Sequence, residues 1–304
     1  MAQVDAVLLL AFGGPERPED VRPFLDAVLR GRPVPPERYE EVVRHYDAIG
    51  GRSPLNMWTY RQAEALRALL EGDGPRLPVY VGMRTWKPTI AETLATMARD
   101  GVRQALAVIL AAHRTEASWE RYHRAVADAR AALDASAPAV EYGGRWFDHP
   151  DFVAAVTARA RDTLAAAPAA AELVFTAHSI PCAMAETSPY VQELETSCRL
   201  VAAALGHPFT LAYQSRSGGP REPWLGPDVN EHLRARAAAG VRHVVVVPIG
   251  FVCDHVEVLY DLDVEARATA AAIGLGFSRA ATVNDHPAFI RMLADVVRAG
   301  VETS

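Results

Sequence analysis

Cysteine is scarce in this chain of 304 residues: Cys182, Cys198 and Cys253 are all it has. None belongs to a C-x-x-C pair, and an odd number argues against a disulfide framework. Three thiols also fall short of the four that usually hold an iron–sulfur cluster, so no such cluster is expected. Long apolar runs are missing as well. Ala6–Phe12 and Val244–Val252, the latter broken by Pro248, are far shorter than the roughly 18–20 residues that span a bilayer. The opening MAQVDAVLLLAFGG has no basic flank and carries an aspartate, so it reads as a buried strand rather than a secretory signal. The chain is therefore expected to be cytoplasmic, without a transmembrane segment, and loose membrane association is left open. Positive charge is not in excess: a net charge of −6 leaves no basic footprint for nucleic acid. Neither G-x-G-x-x-G nor a Walker sequence opens a strand–helix junction, which counts against a nucleotide-binding enzyme.

What is present is a regular alternation of short β-rich apolar runs and longer amphipathic stretches. Strands are expected at 4–11, 78–82, 104–111, 140–143, 172–177, 210–214, 244–249 and 281–283. Helical patterns fall at 18–29, 59–70, 87–100, 116–133, 193–205 and 228–239. Continuous apolar strands separated by helices predict parallel sheets covered on both faces. The pattern also repeats. Gly101-Val102-Arg103 and Gly240-Val241-Arg242 each precede a buried strand, and Asp148-His149-Pro150 and Asp285-His286-Pro287 each open a helix nearly the same distance further on. In both of the latter the aspartate suits an N-cap and the proline suits the first helical turn.

The expected fold is therefore α/β: two similar Rossmann-like lobes, each a small parallel sheet flanked by helices, with a cleft between them. Residues 1–145 form the first lobe and 146–286 the second, and 287–304 form a C-terminal helix packing back on the first. Open α/β sheets bind ligands beyond the carboxyl ends of their strands, so chemistry is sought in the loops there.

Two constellations stand out at such ends. Thr176-Ala177-His178-Ser179-Ile180-Pro181 puts a histidine at the mouth of a parallel sheet. Further on, Glu257, Asp261 and Glu265 recur every four residues after the strand ending near Ile249, so on a helix they form one acidic stripe. Like charges at that spacing repel. A hard cation with oxygen ligands would offset the repulsion; a solvated face with arginine partners is the plainer alternative.

At this point the residues carry a resemblance. AFGGPERPEDVRPFL, HYDAIGGRSPLN, FTAHSIP, YQSRSGGPREPWLGPDV and PIGFVCDHVEVLYDLDVE resemble the ferrochelatase family in order and spacing, over nearly the whole chain. The resemblance implies a chelatase fold and a lyase of haem biosynthesis that inserts Fe²⁺ into a free-base porphyrin, coproporphyrin III or protoporphyrin IX. It assigns His178 and Glu257 to catalysis, and His178, Glu257, Asp261 and Glu265 to the metal, on a helix widened toward π geometry. Porphyrin and ferrous iron are the partners, with no cofactor beyond the iron substrate, and a monomer is expected. The aromatic walls would come from Phe12, Trp86, Trp224 and Tyr260. Arg30, Tyr46, Ser53 and Arg216 suit the porphyrin propionates, and Arg84 adjoins them beside Trp86. Where some bacterial relatives carry tyrosine this chain has Phe12, which keeps an aromatic wall but offers no oxygen ligand. Where relatives carry Lys-His-aliphatic it has Arg84-Thr85-Trp86. A related chelatase acting on sirohydrochlorin, and a non-catalytic porphyrin carrier, are the competing readings.

Overall fold

The computed structural model describes residues 3–31, 33–133, 136–217 and 222–303. The chain divides into two compact units. One comprises Met1–Ala111, Ala117–Trp146 and Asp285–Ser304; the other comprises Ala112–Glu116 and Phe147–Asn284.

In the first unit, β1 (Ala6–Ala11) is followed by α1 (Val21–Leu29), α2 (Pro36–Ala48) and α3 (Leu55–Asp73). Then come β2 (Val79–Met83), α4 (Ile90–Arg99), β3 (Gln104–Ile109), a π turn (Glu116–Glu120) running into α5 (Arg121–Leu133), and β4 (Ala139–Tyr142). In the second, α6 (Pro150–Ala166) leads to β5 (Glu172–His178), α7 (Cys182–Glu186), α8 (Tyr190–Leu205), β6 (Phe209–Gln214), α9 (Val229–Ala238) and β7 (His243–Val247). After β7 the chain forms α10 (Val256–Leu259), a second π turn (Asp261–Ala266), α11 (Arg267–Ala272) and β8 (Gly276–Arg279). The closing helix α12 (Pro287–Thr303) returns to the first unit, where it packs against α3 and β3.

Both sheets are fully parallel, and their strand orders, β2-β1-β3-β4 and β6-β5-β7-β8, are the same order read in each half. The repeat seen in the sequence is thus a repeat of topology. Every residue of β1 and of β3 is buried, as a parallel strand covered on both faces requires. In the first unit Leu8, Leu10 and Ala107 pack against Leu94, Met97 and Val126 from the helices. In the second, Val174, Val244 and Val246 pack against Leu233, Val258, Leu262 and Ala266. Among the described residues no helix is long and apolar enough to cross a membrane.

Two expectations are corrected, and one helix is added. The strand expected at 281–283 lies earlier, at Gly276–Arg279. Its register on β7 ends with Val246 opposite Arg279, and Ala280 N–H donates the last bond to the Val246 carbonyl. Pro248 then has no N–H to offer, so pairing stops before Ala281. The helix α2 went unread because its sequence, PERYEEVVRHYDA, is mostly polar and opens on the last of three closely spaced prolines, Pro33, Pro35 and Pro36, which read as loop. Finally, the aspartates before α6 and α12 are not the caps. The histidine is: His149 Nδ1 accepts from Asp151 N–H at 3.2 Å, and His286 Nδ1 accepts from Ala288 N–H at 3.2 Å.

One glycine shows how closely the second sheet approaches its functional loop. A Cβ on Gly250 would stand 2.6 Å from the Ala177 Cβ and 2.7 Å from its Cα, next to His178. Gly250→Ala should therefore destabilise the protein by about 1–3 kcal/mol, the cost of overpacking a closed site. Denaturant melting checks this, and a wild-type midpoint would contradict the packing described.

Candidate active site

His178 ends β5, and its position is fixed from three sides. Gln214, level with it in the β5–β6 register, accepts the Ser179 N–H on its backbone carbonyl at 2.7 Å. Tyr190, buried at the start of α8, donates its hydroxyl to the His178 carbonyl at 2.8 Å. The PWLG segment is stapled to the same loop: Ser179 Oγ donates to the Leu225 carbonyl at 2.7 Å, and Leu225 N–H donates back to Ile180 at 3.0 Å. A bridge between Pro181 and Trp224 completes the staple.

Glu257 lies in the first turn of α10. His255 caps that turn, its Nδ1 accepting the Glu257 N–H at 3.1 Å. Burial lowers the His255 pKa, which keeps the ring neutral and its Nδ1 free to accept. Behind the acids runs an apolar stripe: Val258, Leu262 and Ala266, each fully buried, lock the segment onto the sheet. Glu257, Asp261 and Glu265 each precede one of these anchors and ride on the stripe's shoulder. A repeat of four drifts around an ordinary helix of 3.6 residues per turn. The chain corrects the drift by widening into the π turn, where the Glu265 N–H bonds back to the Tyr260 carbonyl at 2.9 Å, five residues earlier.

The two constellations meet. His178 Nε2 stands 3.5 Å from Glu257 Oε1, with each side chain about one-third exposed, at 32% and 38%. On the other side of the ring, Nδ1 pairs with the Ser179 carbonyl. Both ring nitrogens thus face oxygen acceptors, an arrangement that only the doubly protonated ring satisfies. Burial alone would lower the His178 pKa, but the Glu257 carboxylate overrides it and pushes the imidazole up to about 9. Burial likewise opposes the charge on Glu257, and the imidazolium more than offsets this, holding the carboxyl below its usual range.

Asp261 is different. It is buried in the π turn with Ser215 Oγ donating to its Oδ2, and Ser215 itself adopts a left-handed backbone conformation at φ 63°. Burial is the main force on this carboxyl and raises it. The Ser215 hydroxyl works against the rise and the nearby Glu257 and Glu265 charges add to it, leaving the pKa at about 7. Glu265 is exposed and accepts from Asn230 Nδ2 at 3.3 Å. Among the described residues no three His, Cys, Asp or Glu side chains converge to hold a metal ion. The structure therefore brings together a pair, His178 and Glu257, followed by a line of carboxylates, not a closed cage.

The expected porphyrin contacts distribute over both units. In the first, Phe12, Tyr46 and Trp86 surround Phe24, with ring centroids 6.1, 6.1 and 5.8 Å from it. The Arg84 guanidinium lies over the Phe12 and Tyr122 rings, 4.8 and 5.0 Å from their centroids. The loops carrying them are zipped by Thr85, whose N–H and hydroxyl both donate to the Phe12 carbonyl. Gly13 adopts φ 88°, and a Cβ there would stand 2.8 Å from the Trp86 Cβ, so this turn needs glycine twice over. Arg30 is exposed in a left-handed turn after α1; Ser53 is buried, its Oγ accepting the Leu55 N–H at 3.4 Å. In the second unit, Arg216 is exposed and donates to the Glu222 carbonyl at 3.2 Å, and Trp224 Nε1 donates to the Glu222 carboxylate at 3.0 Å. Tyr260 is half-buried where α10 passes into the π turn. Residues 218–221 of the YQSRSGGPREPWLGPDV segment lie outside the described residues.

Residues 4–301 match the sequence profile of the ferrochelatase family. The chain belongs to that family. Its activity is insertion of Fe²⁺ into a porphyrin, a step of haem biosynthesis. The coproporphyrin III ferrochelatase of Mycolicibacterium paratuberculosis is 46% identical over 297 residues, covering 96% of this chain and 87% of the relative. That of Nocardia farcinica is 44% identical over 308 residues, covering 97% and 88%. Among solved structures, SirB from Bacillus subtilis with Fe³⁺ matches 98% of the chain and 96% of its own length, at a TM-score of 0.62 and 12% identity. The sirohydrochlorin chelatase SirB in complex with cobalt matches at 0.59 and 13%. At such identities the likeness concerns the fold alone, so the chelatase fold extends past the family while the sequence keeps the ferrochelatase identity.

Reading the sequence for motifs missed Phe24, Gln214, Ser215 and Tyr190. Gln214 Nε2 donates to the Glu257 carbonyl, so one buried glutamine ties the histidine strand to the glutamate turn. Its signal was available: a glutamine ending an apolar strand has no core-packing reason to be there.

Proposed function

We propose that His178 is the proton acceptor of this ferrochelatase, with Glu257 as its charge partner, and that its porphyrin is coproporphyrin III. The ion pair between them carries the first part. Insertion replaces two pyrrole N–H protons with one Fe²⁺, so the protein must take up protons beside the ring and pass them on. At neutral pH the pair holds one proton between imidazole and carboxylate. An approaching cation disfavours the imidazolium and expels that proton, leaving a neutral imidazole able to accept from a pyrrole or to present the metal. Glu257 stays ionised and stabilises whichever cation stands next to it, imidazolium or Fe²⁺. Asp261, poised near neutrality, takes the proton next, and exposed Glu265 leads it to water.

Support for coproporphyrin III comes from the names of the relatives and from the half-buried Arg84 guanidinium of the first unit, stacked on the Phe12 and Tyr122 rings. Burial is the main influence on Arg84 and lowers its pKa; the Tyr122 hydroxyl, hydrogen-bonded to it, works the other way, and the Arg121 and Arg30 charges add to the fall. A cation held against two rings suits a propionate, and coproporphyrin III carries two more of these than protoporphyrin IX. Anaerobic Fe²⁺ insertion with each porphyrin tests this. The expected kcat/KM ratio favours coproporphyrin III by at least about tenfold, one lost charge-assisted hydrogen bond's worth. Equal or reversed preference would overturn the substrate reading.

A further inference from the structure

The segment that carries Glu257 is held at both ends by one arginine. Arg279 closes β8, the strand beside β7, and its side chain is only 12% exposed. Its Nη1 donates to Asp254 Oδ1 at 2.9 Å. Its Nε donates to Asp263 Oδ1 at 3.0 Å and its Nη2 to Asp263 Oδ2 at 2.5 Å, a two-point fork on one carboxylate. Asp254 precedes Glu257 in the loop after β7, and Asp263 follows it in the π turn. Asp254 is also gripped by the turn after β8: Thr282 Oγ1 and Asn284 Nδ2 donate to its carboxylate, each at 3.2 Å, and its N–H donates to Asn284 Oδ1 at 2.9 Å. The Asp263 end is shared with Arg267, whose Nη2 stands 3.2 Å away.

We propose that Arg279 is a positioning residue for metal insertion: by bridging Asp254 and Asp263 it fixes the span between them and so aims Glu257 at His178. The inference rests on Glu257 being catalytic, as read above. The core anchors at Val258 and Leu262 set the depth of the segment on the sheet, but an apolar contact does not fix its rotation. The bridge does, because the planar guanidinium spends separate donors on two carboxylates in one geometry. Lysine would keep the positive charge yet present it at a single point, satisfying one aspartate and releasing the other. A small rotation of the segment then moves the Glu257 carboxylate away from His178, and misplacement on that scale costs rate without costing substrate binding.

Arg279→Lys is the test, with anaerobic Fe²⁺ insertion, the KM for porphyrin and thermal melting followed together. The expected result is a kcat lowered by about 10²-fold, with porphyrin KM and melting temperature close to wild type. A wild-type kcat, or a loss of rate matched by an equal loss of folded protein, would overturn the proposal. Asp263→Asn is the second variant and stands in if the lysine variant does not fold. It leaves Arg279 on Asp254 but removes the forked end, and it too is expected to lose kcat rather than KM; wild-type kcat there also counts against the bridge. Glu257→Gln runs alongside. If it turns over at the wild-type rate, the catalytic reading of Glu257 fails and the positioning role with it. If it is slow while Arg279→Lys is fast, the positioning role alone fails.

Discussion

His178→Ala should lower kcat for Fe²⁺ insertion by about 10²–10⁴-fold, the range a positioned proton acceptor supplies. The side chain sits at the strand end with both ring nitrogens on oxygen acceptors. Its removal leaves a carboxylate without its cation and a porphyrin face without a base. Glu257, held below the usual carboxylate range, is too weak a base to take the role over. The aromatic cluster around Phe24 lies elsewhere in the chain and is untouched, so the KM for porphyrin should stay within about threefold, less than the energy of one ordinary hydrogen bond. Steady-state insertion under anaerobic conditions, followed by absorbance, reads both constants. A variant with near wild-type kcat would remove His178 from the chemistry.

Glu257→Gln carries the second large effect, and it appears in two places. The amide keeps the shape but cannot stabilise an imidazolium. With the carboxylate gone, burial dominates, and the His178 pKa should fall from about 9 to near or below its ordinary value of about 6.5. Histidine NMR titration of the free enzyme measures the fall; an unchanged value would mean that the pair is not coupled. Insertion should slow by about 10²-fold, since neither imidazolium nor Fe²⁺ then has a counter-charge. The same coupling has a sign in stability. A raised His178 pKa adds stability that is complete below about 6.5 and fades as pH climbs through about 9. A lowered Glu257 pKa adds stability present above about 4.5 and lost as pH falls toward 2. The pair therefore supports the fold from weakly acidic to mildly alkaline pH.

Much of this architecture was legible in the chain because the signals were local. Strands such as Ala6–Ala11 and Gln104–Ile109 are continuous apolar runs, and a parallel sheet covered on both faces has no other sequence form. The duplicated Gly-Val-Arg and Asp-His-Pro motifs carried the repeat that the matching strand orders display. The acidic stripe at Glu257, Asp261 and Glu265 could be read from its spacing, though its period of four, off the α-helical value, was the mark of the π turn. What escaped reading depends on contacts between distant residues. Gln214 is forty-three residues from Glu257 and Arg279 is twenty-five from Asp254, and nothing in either neighbourhood announces the partner. Phe24 reads as one more core residue of an amphipathic helix; only the fold sets Phe12, Tyr46 and Trp86 around it. The histidine caps at His149 and His286 were misread for a local reason. An adjacent aspartate is the commoner cap, and the choice between neighbours is settled by a backbone angle that the sequence does not carry.

The central claim is that the neutral form of His178, tuned by Glu257, takes the porphyrin protons. The measurement that tests it most directly is the rate of anaerobic Fe²⁺ insertion into coproporphyrin III between about pH 6 and 8.5, in wild type and in Glu257→Gln, read as kcat/KM so that it reports the free enzyme. The wild-type rate should climb across the whole range as imidazolium gives way to imidazole. In the variant the climb should shift to lower pH and level off, at a lower plateau. A wild-type rate flat with pH, or a rising limb that Glu257→Gln leaves in place, would contradict the account.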